Sequence, residues 1–524
     1  MVNFDAIHGE ANFTKIPIAD LVKLSFSFAD DRGSHIDSIS WNWGEGHQAP
    51  YPSRIMPLYD HPGYRKLAQR GVNLPQIFLE ETRKRGLEVF YSYRINGSDN
   101  DLGPVAKIPR KEAHPDWLIP VPWGGNGRWN FAIEEVRQYK LKILKEVVEQ
   151  YDFDGLELDF ARNCPVLPPG QQWKLREHMT DFMRAVRALT QDAERKRRRA
   201  FLVSARVGEN LEGCHMDGLA VETWAREQLV DIFVLGCRSL EVDLEAFRRI
   251  TAGTSIRLQP CLDEHHSSDG YNWPPIEVVR GVYANWWDQG ADGVYTFNWN
   301  YARHDQALGV GLHGAPHFAE PGPLHRQLYK EIGDPGVLRF RDKTFVVQRR
   351  GGGHGPRVVP NPEDWHTPRV MYANTNMFAP LPAPLDVEGK ADTLLTVYVA
   401  DNLERHSFRI QSVGLRILLS DAATAQWPAG EKIPRAVIRG WRGRDFLYNS
   451  PPLKGVENQL EVRLNNALLD AGEVKKGWLV FRPRPNQFAH GNNVLGLRLE
   501  KRVPKSPMPI LVEKVEVDVR YKNG

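Results

Sequence analysis

Short apolar runs and helical stretches alternate along the first 335 residues of this chain, and the alternation repeats eight times. Runs with strand character fall at residues 23–28, 36–41, 87–94, 154–160, 201–207, 231–236, 255–262 and 293–298. Between them, 74–85, 134–150, 174–196, 221–229, 275–289 and 324–332 read as helices. In 74–85 and 134–150 the apolar residues recur at three- and four-residue spacing, the mark of a helix with one buried face. A strand, a returning helix and a parallel strand, repeated to eight, close a sheet on itself. The reading is therefore α/β, a (β/α)8 TIM barrel over residues 1–335. A doubly wound open sheet is the competing fold. No G-x-G-x-x-G follows the first run, which counts against its dinucleotide-binding form.

After about residue 336 the helical spacing fades. Short alternating runs at 393–400, 414–420, 459–464, 477–483, 493–500 and 510–520 are separated by turn residues. They read as an all-β sandwich, jelly-roll-like, over 386–524, with 336–385 as an irregular connector rich in Gly, Pro and Asn. Inside the barrel region, 37–63 and 97–130 read as insertions. The first carries Trp41 and Trp43, the second His114, Trp117, Trp123 and Trp129. Loops of this composition at a barrel mouth shape a cleft. Tryptophan faces stack on sugar rings as readily as they fill cores, so Trp43 and Trp123 are candidate substrate contacts.

The formal charge of +3 is too small to point to nucleic acid. No apolar run reaches the ~18 residues of a membrane span. The first twenty residues lack the basic and apolar regions of a signal peptide. The four cysteines, at 164, 214, 237 and 261, form no C-x-x-C pair, so free thiols are expected. No cofactor or metal is expected, and the expected partner is carbohydrate.

Side chains alternate across a strand, and this decides which residues reach the barrel axis. In residues 153–160, Gly155, Glu157 and Asp159 share one face and Leu156, Leu158 and Phe160 the other. The apolar face must meet the helices, so both carboxylates point inward, with Asp159 nearer the C-terminal mouth where barrel enzymes do their chemistry. The same parity aims Ser92, Arg94 and Asn96 inward, then Ser204 and Arg206, then Arg257, Gln259 and Asp263. In the last run it aims Thr296, Asn298 and Asn300, and in the first Ser25 and Ser27. That much polarity on one axis is costly unless paired or used. A buried ion-pair network around Glu157, Arg94 and Arg206 is the structural alternative.

Glycoside cleavage needs two carboxyl groups across the scissile bond. Asp159 is one. Its partner is sought at a neighbouring rim: Asp263 and Glu264 after the seventh run, Glu241 and Asp243 after the sixth, Glu209 after the fifth. Asp263 has inward parity. Glu241 and Asp243 also suit the first turn of a helix, whose dipole favours acids. Arg94, Arg162 and Arg206 are candidates to hold hydroxyls or a sugar carboxylate. Glu157, Asn96, Asn298 and Trp299 complete the candidate substrate contacts. His265 and His266 follow Glu264, but adjacent residues on an extended strand point oppositely and make a poor chelate.

The segment Tyr151-Asp152-Phe153-Asp154-Gly155-Leu156-Glu157-Leu158-Asp159-Phe160-Ala161-Arg162 resembles the fourth-strand signature of glycoside-hydrolase-like barrel proteins with a β-sandwich tail. Arg94-Ile95-Asn96, residues 222–231 and residues 290–299 resemble the same group. The resemblance implies a (β/α)8 barrel and glycosidase activity. The chitinase-like family carries an acid where Ala161 stands, which excludes that chemistry here. The α-amylase superfamily places a nucleophilic Asp where Asp159 stands, with an arginine where Glu157 stands. Residues 488–499 resemble a strand entry of jelly-roll modules attached to glycosidases. A carbohydrate-binding barrel without catalysis, or a metal-dependent hydrolase or lyase, are the alternative functions.

Overall fold

The computed structural model describes residues 1–5, 17–44, 48–59, 62–97, 108–120, 127–162, 164–236, 239–263, 274–299, 323–349, 379–386, 388–421, 459–475, 478–500 and 510–522. Eight parallel strands close a barrel: β1 (Val2–Asp5), β2 (Ser38–Gly44), β3 (Glu88–Arg94), β4 (Gly155–Asp159), β5 (Leu202–Val207), β6 (Ile232–Leu235), β7 (Arg257–Leu262) and β8 (Tyr295–Phe297). Each runs beside its neighbour in sequence, and β8 pairs with β1 to close the ring. Each strand is followed by a helix that packs on the barrel, some loops adding a further short one: α1 (Ile18–Ser25), α2 (Leu74–Lys84), α3 (Glu134–Gln150), α4 (Arg176–Arg197), α5 (Val221–Arg226), α6 (Leu244–Thr251), α7 (Ile276–Asp288) and α8 (Pro323–Tyr329). This is the (β/α)8 architecture that the alternation implies. No helix among the described residues is long and apolar enough to cross a membrane.

Seven strands fall on the expected runs; the first does not. Residues 23–28 end α1 and the turn after it, and the strand is Val2–Asp5. Leu24-Ser25-Phe26-Ser27-Phe28 does alternate. Yet Leu21 and Ser25, four apart, bury one helical face. The turn then seats Phe26 5.2 Å from Trp41 and Phe28 4.3 Å from Phe4, ring centre to ring centre. The inward serines expected here are replaced by Asn3. The expected insertion at 37–63 is in part strand, because β2 takes Ser38–Gly44. Strict alternation in Ser-Ile-Ser-Trp-Asn-Trp turns Ile39, Trp41 and Trp43 toward the helices.

The main core lies between barrel and helices. A second apolar cluster fills the barrel itself: Phe90, Ile232, Val234, Cys261, Tyr295 and Phe297. Gly155 makes room for it, since a Cβ there would sit 2.5 Å from Phe90 and 2.6 Å from the Leu202 carbonyl. The cluster reverses the parity expected for the last strand. Tyr295 and Phe297 face the axis, not Thr296, because large rings are needed to plug the barrel below its polar groups.

Two antiparallel sheets follow. One has the order β9 (Lys343–Val346), β18 (Ile510–Tyr521), β12 (Ile410–Asp421), β16 (Trp478–Phe481), β15 (Glu473–Lys475), with β10 (Ala383–Pro384) also on β18. The other runs β11 (Thr393–Val399), β17 (Gly491–Leu499), β13 (Leu460–Leu464), β14 (Ala467–Leu468). Val397, Leu415, Ile417, Leu495, Leu497, Val515 and Val517 alternate into one shared core, as in a sandwich. The stretch expected to be an irregular connector contributes β9 and β10. Phe345 is buried in the sandwich core, which holds β9 in the sheet.

Candidate active site

The polar layers on the barrel axis are stacked by strand register. Ser92, Glu157 and Ser204 stand in one row across β3, β4 and β5; Arg94, Asp159 and Arg206 stand in the next, toward the mouth. In the deeper row the Ser92 hydroxyl donates to Glu157 Oε1 at 2.7 Å and the Asn3 amide donates to the same oxygen at 2.9 Å. The Tyr295 hydroxyl donates to Oε2. Burial pushes the Glu157 carboxyl above its ordinary value, because a charge there loses its hydration; Arg206 and the hydroxyl donors oppose this only in part. The hydroxyl of Tyr295 is pushed up as well, by burial first and by Glu157 second.

In the upper row Asp159 is 1% exposed. The Arg206 guanidinium donates to its Oδ2, and the Ala161 backbone N–H donates to Oδ1 at 3.0 Å. The guanidinium of Arg206 lies 3.9 Å over the Phe297 ring and that of Arg94 lies 5.8 Å from it. One aromatic plug thus supports two cations, and the cations flank one aspartate. Arg162, nearly buried, follows the turn that Ala161 closes.

Around this centre the candidates separate. Asp263 directly follows β7 and is fully buried, on the parity of the inward Cys261. Glu209, two residues beyond β5, is 4% exposed. Gly236, at φ +78°, packs beside it: a Cβ there would meet the Glu209 Cβ at 3.3 Å. Glu241 is elsewhere engaged: its carboxylate accepts the Gln348 backbone N–H at 2.8 Å, in a part-buried contact with the sandwich end of the chain. Asp243 caps α6 by accepting from Ala246 N, as its first-turn position implies. Asn96 spends its amide on backbone: it accepts from Trp129 N at 2.8 Å and donates to Pro165 O at 2.9 Å, stapling the loops after β3 and β4. Glu264, Trp123, His265 and His266 lie outside the described residues.

Two tryptophans expected at the mouth are in the outer core instead. Trp43 is fully buried, with its ring 5.3 Å from Phe78 of α2. Asn298, buried at the end of β8, has φ +57°, a left-handed backbone that asparagine tolerates. The chain turns there, and Trp299 packs 5.9 Å from Tyr283 and 5.7 Å from Tyr329, donating its indole N–H to Leu262 O at 3.0 Å. In this structure neither ring offers a face to a sugar. Residues not foreseen on the axis are Asn3 and Tyr295. The polar–apolar alternation of Val2-Asn3-Phe4 was the available signal for Asn3, too short to stand out.

Similar proteins are glycosidases by their descriptions. Among solved structures, a GH27 β-L-arabinopyranosidase of Geobacillus stearothermophilus aligns over 97% of each chain at 11% identity and a TM-score of 0.39. An α-L-fucosidase isoenzyme of Paenibacillus thiaminolyticus aligns over 56% of this chain and 45% of its own, at 13% identity and a TM-score of 0.38. The fold itself rests on the strand register above. A curated relative, Glycosyl hydrolase YngK of Bacillus subtilis, is 32% identical over 120 residues, which are 21% of this chain and 22% of that protein. Over residues 34–173, the stretch that carries β2, β3, β4 and Asp159, this chain matches the family Glycosyl hydrolase-like 10.

Proposed function

We propose that this barrel hydrolyses glycosidic bonds of a poly- or oligosaccharide, with Asp159 as the carboxylate that attacks the sugar or activates water and Asp263 as the acid that protonates the leaving group. The observation that carries this is Asp159 itself. It stands at the C-terminal rim of β4 in a closed barrel, held as an acceptor by Arg206 and the Ala161 N–H. A carboxylate oriented in this way presents negative charge to an oxocarbenium-like centre without having to reorganise. The curated relative and the family match agree with a carbohydrate-active barrel. In this reading Arg94 and Arg162 take substrate hydroxyls beside it. A second assignment of the acid, Glu209, is favoured by its burial just beyond β5, the strand next to β4.

The test is a screen of polysaccharides and aryl glycosides with the parent protein and three variants. Asp159→Asn lowers kcat by about 10³-fold on whatever substrate the parent cleaves. Of Asp263→Asn and Glu209→Gln, the true acid loses far more rate on substrates with poor leaving groups than on activated aryl glycosides. Equal rates for the parent and Asp159→Asn would remove Asp159 from the chemistry. A parent that binds polysaccharide but releases no sugar would favour the non-catalytic barrel.

A further inference from the structure

A second feature lies outside the axis. The loop after β2, the segment 108–117 after β3 and the first half of α3 enclose an open groove of about 640 Å³. It is continued by a more apolar hollow of about 380 Å³ that shares Ile55, Arg110 and Tyr139. Ligand sites fall in the range of about 300–1,000 Å³. Both loops leave the C-terminal ends of their strands, so the groove belongs to the mouth side of the barrel.

Its lining has a particular chemistry. Glu134, Gln138 and Lys142 follow one another at four-residue steps along one face of α3, all exposed toward the groove. Arg54 and Arg110 face them from the two loops. Arg110 is oriented by Tyr139, its guanidinium 4.3 Å over the ring. Trp117 is braced by a parallel stack on His114, with ring centres 3.9 Å apart and planes 11° apart. Planar forks of both signs beside a rigid indole suit vicinal hydroxyls and the apolar face of a pyranose ring. Glu134 and Glu135 would repel a polyanion, and the cations would repel a polycation. Two adjoining hollows, the first lined by charged groups and the second by Pro57, Ile108 and Pro109, suit a chain over a single sugar.

We propose that this groove is an accessory site for a neutral oligosaccharide segment, holding polysaccharide against the mouth side of the barrel. The inference rests on the reading of the barrel as carbohydrate-active, but it needs no catalysis. It is tested by native affinity electrophoresis of the full chain in gels containing laminarin, xylan, galactomannan or pullulan. The parent is retarded by at least one of these. Arg54→Ala combined with Gln138→Ala changes two exposed side chains and leaves the melting temperature in place. It weakens retardation about tenfold, the loss of one or two strong polar anchors. Asp159→Asn is retarded like the parent. A double variant retarded as strongly as the parent, or a parent retarded in no gel, overturns the site. Hydrolysis without retardation would remove the groove and leave the proposed activity standing; retardation lost in the double variant without any hydrolysis would do the reverse.

Discussion

Glu157 is pulled two ways. Three donors surround its oxygens, yet its complete burial holds its pKa above the ordinary 4.5. A carboxyl whose folded pKa is raised binds its proton more tightly in the folded chain. Its contribution to stability is therefore full below about pH 4.5 and is lost as pH rises through the folded value. Between the two values the loss is about 1.4 kcal/mol per pH unit. Glu157→Gln keeps an amide oxygen for Ser92 and Asn3 and removes this titration. The difference in melting temperature, variant minus parent, should grow more positive from pH 4.5 upward, read by thermal melts at half-unit steps. A difference flat with pH would mean that Glu157 is not held protonated by the fold. Arg206→Met leaves Asp159 buried without the guanidinium that donates to it, and loss of one member of a buried pair costs about 3–5 kcal/mol. Urea unfolding should show that loss at neutral pH, and a variant as stable as the parent would show that other donors hold the aspartate.

At the scale of the elements, β4 shows how the barrel accommodates its contents. Gly155 is wedged between the Phe90 ring and the Leu202 carbonyl. Gly155→Ala therefore destabilises by about 1–3 kcal/mol, the usual cost of overpacking. Phe90→Ala opens a cavity of its own, but in that background the added cost of Gly155→Ala shrinks without vanishing, because the carbonyl belongs to a paired strand and cannot move aside. Urea midpoints of both single variants and the double check this; a double variant as stable as Phe90→Ala alone would locate the clash in the ring alone. The strand was legible in the sequence because both faces were marked at once: Leu156, Leu158 and Phe160 outward, Glu157 and Asp159 inward. Strands β3, β5 and β7 were legible on the same ground. β1 was not, since four residues hold too little alternation to outweigh a longer alternating run at 23–28. The last strand was legible as a strand but not in its orientation. Parity assigns the apolar face to the helices, and the barrel needed Tyr295 and Phe297 as its plug. For the same reason Trp43 and Trp299 could not be separated from surface tryptophans: composition says that a ring is present, and only packing says which side of the sheet it covers.

On the scale of the whole molecule, the sandwich is built against the barrel. α7 approaches β9 so closely that a Cβ on Gly281 would sit 2.3 Å from the Thr344 carbonyl. Asn285 bonds the backbone of Tyr398 and Ala400, and Asp288 accepts from the Tyr398 hydroxyl at 2.6 Å. Two residues after β9, Gln348 reaches the barrel loop that follows β6. Its side-chain oxygen accepts from Leu240 N at 2.6 Å and Glu241 N at 3.2 Å, while its own N–H donates to the Glu241 carboxylate. The sandwich end of the chain thus pins a loop on the mouth side, and Glu241 serves that contact. Gln348→Ala removes the side-chain acceptor for both amides and leaves the Glu241 contact to backbone. Hydrogen exchange at Leu240 and Glu241 should then quicken, by about tenfold for each 1.4 kcal/mol lost locally. Exchange at the amides of β12 and β18, deep in the sandwich, should stay as in the parent. On the proposed hydrolase reading, the same variant raises KM more than it lowers kcat, because a loosened rim must be ordered at binding. Unchanged exchange at both amides would show that the loop holds its shape without the sandwich.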